Sequence, residues 1–272
     1  MRSMGDKTRT ITQAMRGNRG AFILKAVLWL LVFACAIAAL VFGSYETVFL
    51  CLITLVLFMV PPFIEARFSI TIPETLEVII VLFIFAAEIL GEVFRFYTIF
   101  PFWDTMLHTF NGFLAAAIGL ALVSILNRSD RIAFALSPFF CVVVAFCFSM
   151  TIGVLWEFFE FGMDLFFGLD MQKDTVVFSI SSIMLNPEDV QRPFLIKNID
   201  SVVVNGQDLG VGGYLDLGLA DTMEDLLVNF VGAVVFSIVG YIYLKGKGEG
   251  TFVRRFVPVL KTDDEALDDC LL

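Results

Sequence analysis

The stretch 105–126, TMLHTFNGFLAAAIGLALVSIL, contains no Asp, Glu, Lys or Arg, and its one ionisable side chain, His108, is the only histidine of the chain. Its length matches the roughly 20 apolar residues that a helix needs to cross a bilayer core about 30 Å thick, where each unpaired backbone polar group costs several kcal/mol. Working outward, five more stretches qualify, which gives spans at about 22–42, 47–64, 76–94, 105–126, 139–161 and 222–244. Composition agrees. The 272 residues are 58% hydrophobic and 17% charged, with a net charge of −10 and a mean hydropathy of +0.87, against roughly 45–50% apolar and about 25% charged in soluble domains. The expected fold is therefore an all-α polytopic membrane protein, a bundle of six transmembrane helices.

Other classes are disfavoured. Nucleic-acid binding needs a basic surface that releases counterions, and an acidic chain does not advertise one. Cys35, Cys51, Cys141 and Cys147 lie inside apolar runs and Cys270 in an acidic tail, so the polar loop offers no disulfide framework. Ala36-Ile37-Ala38 could be read as a signal-peptide cleavage site, but the first apolar run exceeds the usual signal core of about 7–15 residues and reads as a span. Pro61-Pro62 should kink or stop the second span, because both amide donors are missing.

Orientation follows from Lys and Arg. Six spans put both termini on one side, and in one arrangement fourteen of the eighteen basic residues face the cytoplasm, leaving Arg95, Lys173, Arg192 and Lys197 outside. Both termini are therefore expected in the cytoplasm of a cell whose plasma membrane holds the protein. The segments are then a basic cytoplasmic leader, 1–21, spans one to five within 22–167, an extracytoplasmic cap loop, 168–221, span six at 222–244, and a cytoplasmic tail, 245–272. In the cap, Ile199 to Val204 followed by Asn205-Gly206 reads as a strand entering a tight hairpin turn. The acidic run 263–269 reads as a solvated tail. No internal repeat supports an inverted-repeat transporter.

Charged groups within spans cost about 2.5–3.5 kcal/mol each on insertion scales, and mark internal pairing or a functional site. Glu88, Glu92 and Arg95 stand at i, i+4, i+7 on span three, and Asp104, His108 and Asn111 repeat that spacing at the start of span four. Span five ends with Glu157, Glu160 and Asp164, and span six opens with Asp221, Glu224, Asp225 and Asn229. Each set makes one helix face. Spans three and five run outward and carry their acids late; spans four and six run inward and carry theirs early. All four stripes thus meet at one depth, in a polar layer roughly 10 Å thick at about 1.5 Å rise per residue.

Carboxylates crowded in low dielectric must share protons, pair with Arg95 or His108, or coordinate a cation. Asp104, His108, Glu157 and Glu160 put ligating atoms on adjacent turns, as helical bundles do when they build carboxylate-rich metal sites. One histidine and no nearby cysteine favour magnesium, manganese, calcium or iron over zinc. Asp221 or Asp225 would orient a water or the substrate. Plainer readings stand beside this one. Glu160, Asp164, Asp221 and Glu224 can sit at headgroup level in water, Asp221 or Thr222 can cap the sixth helix, and His108 can serve as an interhelical hydrogen-bonding residue. Glu74 and Glu77 read as helix N-terminal charges, and Gly112, Ala116, Gly119, Ala233 and Ser237 as small residues for close helix packing. There is no phosphate-cradling loop, nucleophile elbow or H-E-x-x-H helix.

Several of these residues resemble a known pattern. Phe102-Trp103-Asp104-Thr105-Met106-Leu107-His108 with Asn111-Gly112-Phe113, Leu155-Trp156-Glu157-Phe158-Phe159-Glu160, Met171-Gln172-Lys173-Asp174-Thr175, and the segment from Asp221 to Ala233 containing Asp225 and Asn229 are similar to the YjdF-like family of bacterial inner-membrane proteins. A more distant similarity is to VanZ-like membrane proteins. The resemblance implies a bacterial inner-membrane location and supports the choice of residues, but it brings no reaction with it. In shorter relatives the Gln-Lys-Asp element runs almost directly into the last helix, whereas about 45 residues intervene here, which leaves open where Gln172 and Asp174 lie.

Three functions fit. The first is a metal-dependent enzyme acting on a lipid or lipid-linked headgroup at the outer leaflet; the second is a cation or proton-coupled transporter, although the acids occupy only one half of the membrane; the third is a non-catalytic binding or scaffold protein. The partners expected are the lipid bilayer and a lipid-like ligand.

Overall fold

The computed structural model describes residues 19–68, 70–127, 136–189, 191–246, 251–257 and 259–260. The basic leader before Arg19, together with Arg128, Arg131, Lys247, Lys261, the acidic run 263–269 and Cys270, lies outside the described residues. The fold is mostly helical and divides into two compact units, Met1–Ser149 with Asn229–Leu272, and Met150–Val228.

In the first unit, α1 (Arg19–Val41) is followed by α2 (Tyr45–Phe58) and α3 (Val60–Phe68). Pro61 and Pro62 have no amides to offer the Leu57 and Phe58 carbonyls, and the consequence is a break at the single residue Met59. The chain then continues helically through both prolines, so the pair kinks this span and does not end it. Beyond β1 (Ile70–Thr71) comes α4 (Glu74–Ile84), which passes directly into a π-helix, Phe85–Val93. A left-handed Arg95, φ 58°, ends that run and starts the short α5 (Phe96–Ile99). The long α6 (Trp103–Asn127) follows, then α7 (Pro138–Phe167) and α8 (Leu219–Lys245). A short α9 (Thr251–Arg254) leads to β8 (Val259–Leu260), which pairs antiparallel with β1, Ile70 opposite Leu260.

Five helical stretches among the described residues are long and apolar enough to cross a membrane: Arg19–Val41, Tyr45–Arg67, Trp103–Asn127, Pro138–Phe167 and Leu219–Lys245. The expected third span is the one that differs, since it is an α-helix for only eleven residues before its winding widens. The apolar residues exposed on α1, such as Leu30, Phe33 and Val41, are what a helix facing acyl chains displays. Among these five stretches α6 is the most buried. Leu28, Val32, Cys51, Phe58, Val81 and Ile89 form a core joining α1, α2, α4 and the π-helix. Beside it Lys25 Nζ meets Glu77 Oε2 at 2.5 Å, so Glu77 ties α4 to α1 rather than serving only as a helix N-terminal charge.

Two glycines set the spacing of α6 and α8. A Cβ on Gly112 would come within 2.0 Å of the Asn229 carbonyl oxygen, and one on Gly232 within 2.0 Å of the Thr109 carbonyl oxygen. Each helix thus presses backbone against backbone, as small residues allow within membranes. Ser149 Oγ adds a bond of 2.7 Å to the Gly112 carbonyl.

In the second unit the C-terminal end of α7 and the N-terminal end of α8 are joined by the cap, built from short antiparallel ladders: β2 (Val176–Val177) with β7 (Tyr214–Leu215), β3 (Ser179–Ser182) with β4 (Phe194–Lys197), and β5 (Val203–Val204) with β6 (Gln207–Asp208). Asn205 and Gly206 connect β5 to β6 with φ of 53° and 84°, the two positive angles of the tight hairpin turn that the sequence implied.

The glycine contacts give a direct test. Gly112→Val and Gly232→Val each force a side chain into backbone, and each should destabilise the purified protein by about 1–3 kcal/mol or more, whereas Gly162→Ala, whose nearest neighbour is Phe166 at 4.0 Å, should leave the melting temperature in detergent unchanged or higher.

Candidate functional site

Within the second unit, Glu157 and Glu160 project from α7 and Asp225 from α8, and all three are buried, at 4%, 7% and 2% exposure. One carboxylate oxygen from each lies within 4.8 Å of the others. The i, i+3 spacing on α7 puts the two glutamates on one face, and Asp225 comes from a separate helix. Trp156 Nε1 donates to Glu160 Oε1 at 2.9 Å, which fixes one oxygen of that carboxylate and holds the indole against it. Asp221 stands one turn before Asp225, with an oxygen within 4.8 Å of the Asp225 carboxylate, and accepts the Lys173 amide at 2.8 Å. Glu224 is exposed.

In the first unit, His108 on α6 is buried and its Nε2 lies 3.6 Å from Asp104 Oδ1 one turn earlier. Asn111 Nδ2 donates to Asn229 Oδ1 at 3.1 Å, and Asn229 is among the most buried side chains of the unit. This pair locks the register of α6 against α8 where Gly112 lets them touch. Glu88 is half-buried, whereas Glu92 and Arg95 are exposed. The expectation that these three share a face assumed α-helical winding. The π-helix turns less per residue but keeps Glu92 about one turn from Glu88, near enough for their charges to interact; it is Arg95 that has left the helix and the stripe.

The polar base of the cap is tightly knit. Asp164 accepts the amides of Met171 at 2.6 Å and Gln172 at 2.8 Å, and Gln172 Nε2 donates to Thr222 Oγ1 at 2.5 Å. Thr175 and Asp216 then close the cap strands at their root: the Thr175 amide donates to Asp216 Oδ1 at 2.9 Å and the Asp216 amide to the Thr175 carbonyl at 3.1 Å. The strands between them are thereby looped out, and Gln172 reaches the start of α8, while Asp174 stays exposed. Gly218 allows the fit, since a Cβ there would come within 2.6 Å of Gln172 Cβ.

Asp216 also corrects the expected cap of the last helix. That helix begins at Leu219, so Asp221 and Thr222 lie inside its first turn, and Asp216 Oδ2 accepts the Ala220 amide at 2.6 Å. The sequence reading passed over Asp216; the signal available was an Asp and a Gly just ahead of an apolar helix. It also passed over Trp156, whose i, i+4 spacing to Glu160 was visible.

A family model described as Predicted membrane protein (DUF2238) matches residues 23–246. The chain belongs to this family. The match takes in the acids of both units, the π-helix and the whole cap. No curated protein and no solved structure matches the chain.

The electrostatics of the cap base can be tested in this DUF2238 member. Burial pushes the Asp216 carboxyl up, but amide bonds from Thr175, Ala220 and Gly218 outweigh it and hold the group below its usual range. Asp174 is pushed the other way, by burial and by the carboxylates of Asp170, Asp216 and Asp164. Asp216 therefore stabilises the cap fully above the unfolded aspartate value of about 3.9, and that contribution disappears as pH falls through its lower folded value. Amide exchange at Thr175 and Ala220, corrected for intrinsic rates, should accelerate on acidification in the native protein, and Asp216→Asn should exchange quickly at every pH.

Proposed function

We propose that the acids of α7 and α8 hold a divalent cation in a membrane-embedded enzyme acting on a lipid or lipid-linked headgroup at the outer leaflet. The observation that carries this reading is the buried trio Glu157, Glu160 and Asp225, with one oxygen from each within 4.8 Å of the others. Three carboxylates at that spacing in low dielectric repel one another strongly unless protons or a cation neutralise them. A divalent ion answers all three at once, and an oxygen-rich donor set favours magnesium, manganese, calcium or iron over zinc.

Asp104 and His108 are the further ligands of this proposal, on the i, i+4 spacing that puts both on one face of α6. Asp104 beside His108 Nε2 would hold the imidazole ring in place, as carboxylates do around metal-binding histidines. Asp221 or Asp225 would orient a water or the headgroup. The cation would supply Lewis acidity at the reacting group, and Trp156 would keep bulk water from Glu160. Glu88, Glu92, Asn111, Asp164, Glu224 and Asn229 would complete the polar layer without touching the ion.

The proposed setting is a bacterial plasma membrane crossed six times, with both termini cytoplasmic. The β1–β8 ladder supports that count. With both strands on one side, as this proposal has them, the chain between Thr71 and Val259 would cross the membrane an even number of times. Helices α6, α7 and α8 supply three crossings, and α4 with its π-helical continuation supplies the fourth.

The test is the metal content of protein purified in mild detergent without chelator, for the native chain, Glu157→Gln and His108→Ala. A near-stoichiometric divalent metal in the native protein, and about tenfold less in both variants at equal folded yield, is the expected outcome. Metal-free protein that also fails to take up added manganese or magnesium would replace this reading with proton sharing in a non-catalytic scaffold.

A further inference from the structure

On its inward side α6 borders an apolar pocket of about 310 Å³, lined by Ile79 of α4, Thr109, Phe110 and Phe113 of α6, and Val235 of α8, with Phe252 and Phe256 closing it. Its volume is at the lower end of the range for small-molecule sites, about 300–1,000 Å³. The lining presents only apolar surface. The one hydroxyl nearby, Thr109 Oγ1, is turned back to the Thr105 carbonyl of its own helix at 2.7 Å, so no side chain asks for water or a polar ligand. Three of the lining residues, Phe110, Val235 and Phe252, are exposed, so the pocket opens outward from the helices and is not sealed within them. Around helices that cross a membrane, what lies outside is hydrocarbon.

The pocket is also shaped and placed for a chain descending from the acids. Thr109 and Phe110 follow His108 directly, and Phe113 is five residues further on, about 7.5 Å along the helix. Gly232 brings α8 against the Thr109 carbonyl, which makes the back wall backbone rather than side chain. The end is closed by an aromatic stack, Phe113 meeting Phe256 at 5.5 Å between ring centroids and Phe256 meeting Phe252 at 5.0 Å. These last two rings come from the segment that returns after α8 and is pinned by the β1–β8 ladder.

We propose that this pocket binds one acyl chain of a membrane lipid, the lipid whose headgroup is read above as the ligand of the acidic site; the identity of that lipid rests on the proposed function, while the pocket itself does not. The headgroup stays at the level of Asp104 and His108, the chain runs inward past Phe110, and Phe252 and Phe256 limit its depth.

The experiment uses the full chain in vesicles of phosphatidylethanolamine and phosphatidylglycerol, doped with a phosphatidylethanolamine that carries a diazirine midway along one acyl chain. After illumination, labelled peptides are mapped by mass spectrometry. The expected result is labelling of the Phe110–Phe113 and Phe252 peptides well above that of the lipid-facing α1 residues Leu30 and Phe33. Val235→Trp and, separately, Ile79→Trp fill the pocket and should cut this labelling about tenfold, with α1 labelling unchanged as the control for folding and insertion. Pocket labelling no higher than that of α1 overturns the proposal, whether the pocket is then empty or covered by a second copy, and so does labelling that survives both tryptophans. Metal analysis of the same samples keeps the two readings apart: full pocket labelling in a protein that binds no metal leaves the acyl site and removes the headgroup chemistry.

Discussion

The first unit depends on the backbone contact between α6 and α8. In hydrocarbon no hydrophobic force draws two apolar helices together, so their association rests on close packing and on polar bonds between them. Gly112 and Gly232 remove the side chains that would hold the helices apart. With the axes this close, the amide of Asn111 reaches that of Asn229, and a side-chain pair of that kind has no water to compete with it. The bond fixes the rotation and register of the two helices together.

Burying acids in a membrane protein needs compensation of equal precision. Each ionised carboxylate taken out of water carries a desolvation cost of several kcal/mol that only partners or ions offset. Asp164 and Asp216 meet it with backbone amides at the edge of the cap. Glu157, Glu160 and Asp225 are more deeply buried and drawn close to one another. Proteins retain such an arrangement where it holds a charge or a proton for use, and that physical contrast with the amide-satisfied acids separates a candidate site from structural carboxylates.

The cap shows how a long loop can be closed at a small base. Its ladders are short and their faces exposed, yet Thr175 and Asp216 bond twice at the root. Closing a long loop costs little more than closing a short one, because loop entropy grows only logarithmically with length. Gln172 therefore reaches Thr222 whatever the length of chain that follows it.

Apolar length, basic-residue bias and helical spacing determined, without any coordinates, that the chain is a membrane protein, where its long helices run, that Glu157 and Glu160 share a face, and that Asn205-Gly206 turns a hairpin. These follow from local physics: hydrocarbon demands internally bonded helices, and 3.6 residues per turn fixes which side chains align. Only the tertiary structure decided the rest. The third stretch looked like the others, but its winding widens after Ile84 and Arg95 leaves the helix, an outcome no residue in it announces. Asp216 displaced Asp221 as the cap of the last helix because a strand brought its carboxylate to the Ala220 amide. The acyl-sized pocket depends on a segment beyond the last span folding back to place Phe252 and Phe256 near Phe113. Contacts between residues far apart in sequence are set by how helices cross and where chains return, and spacing along the chain carries no record of either.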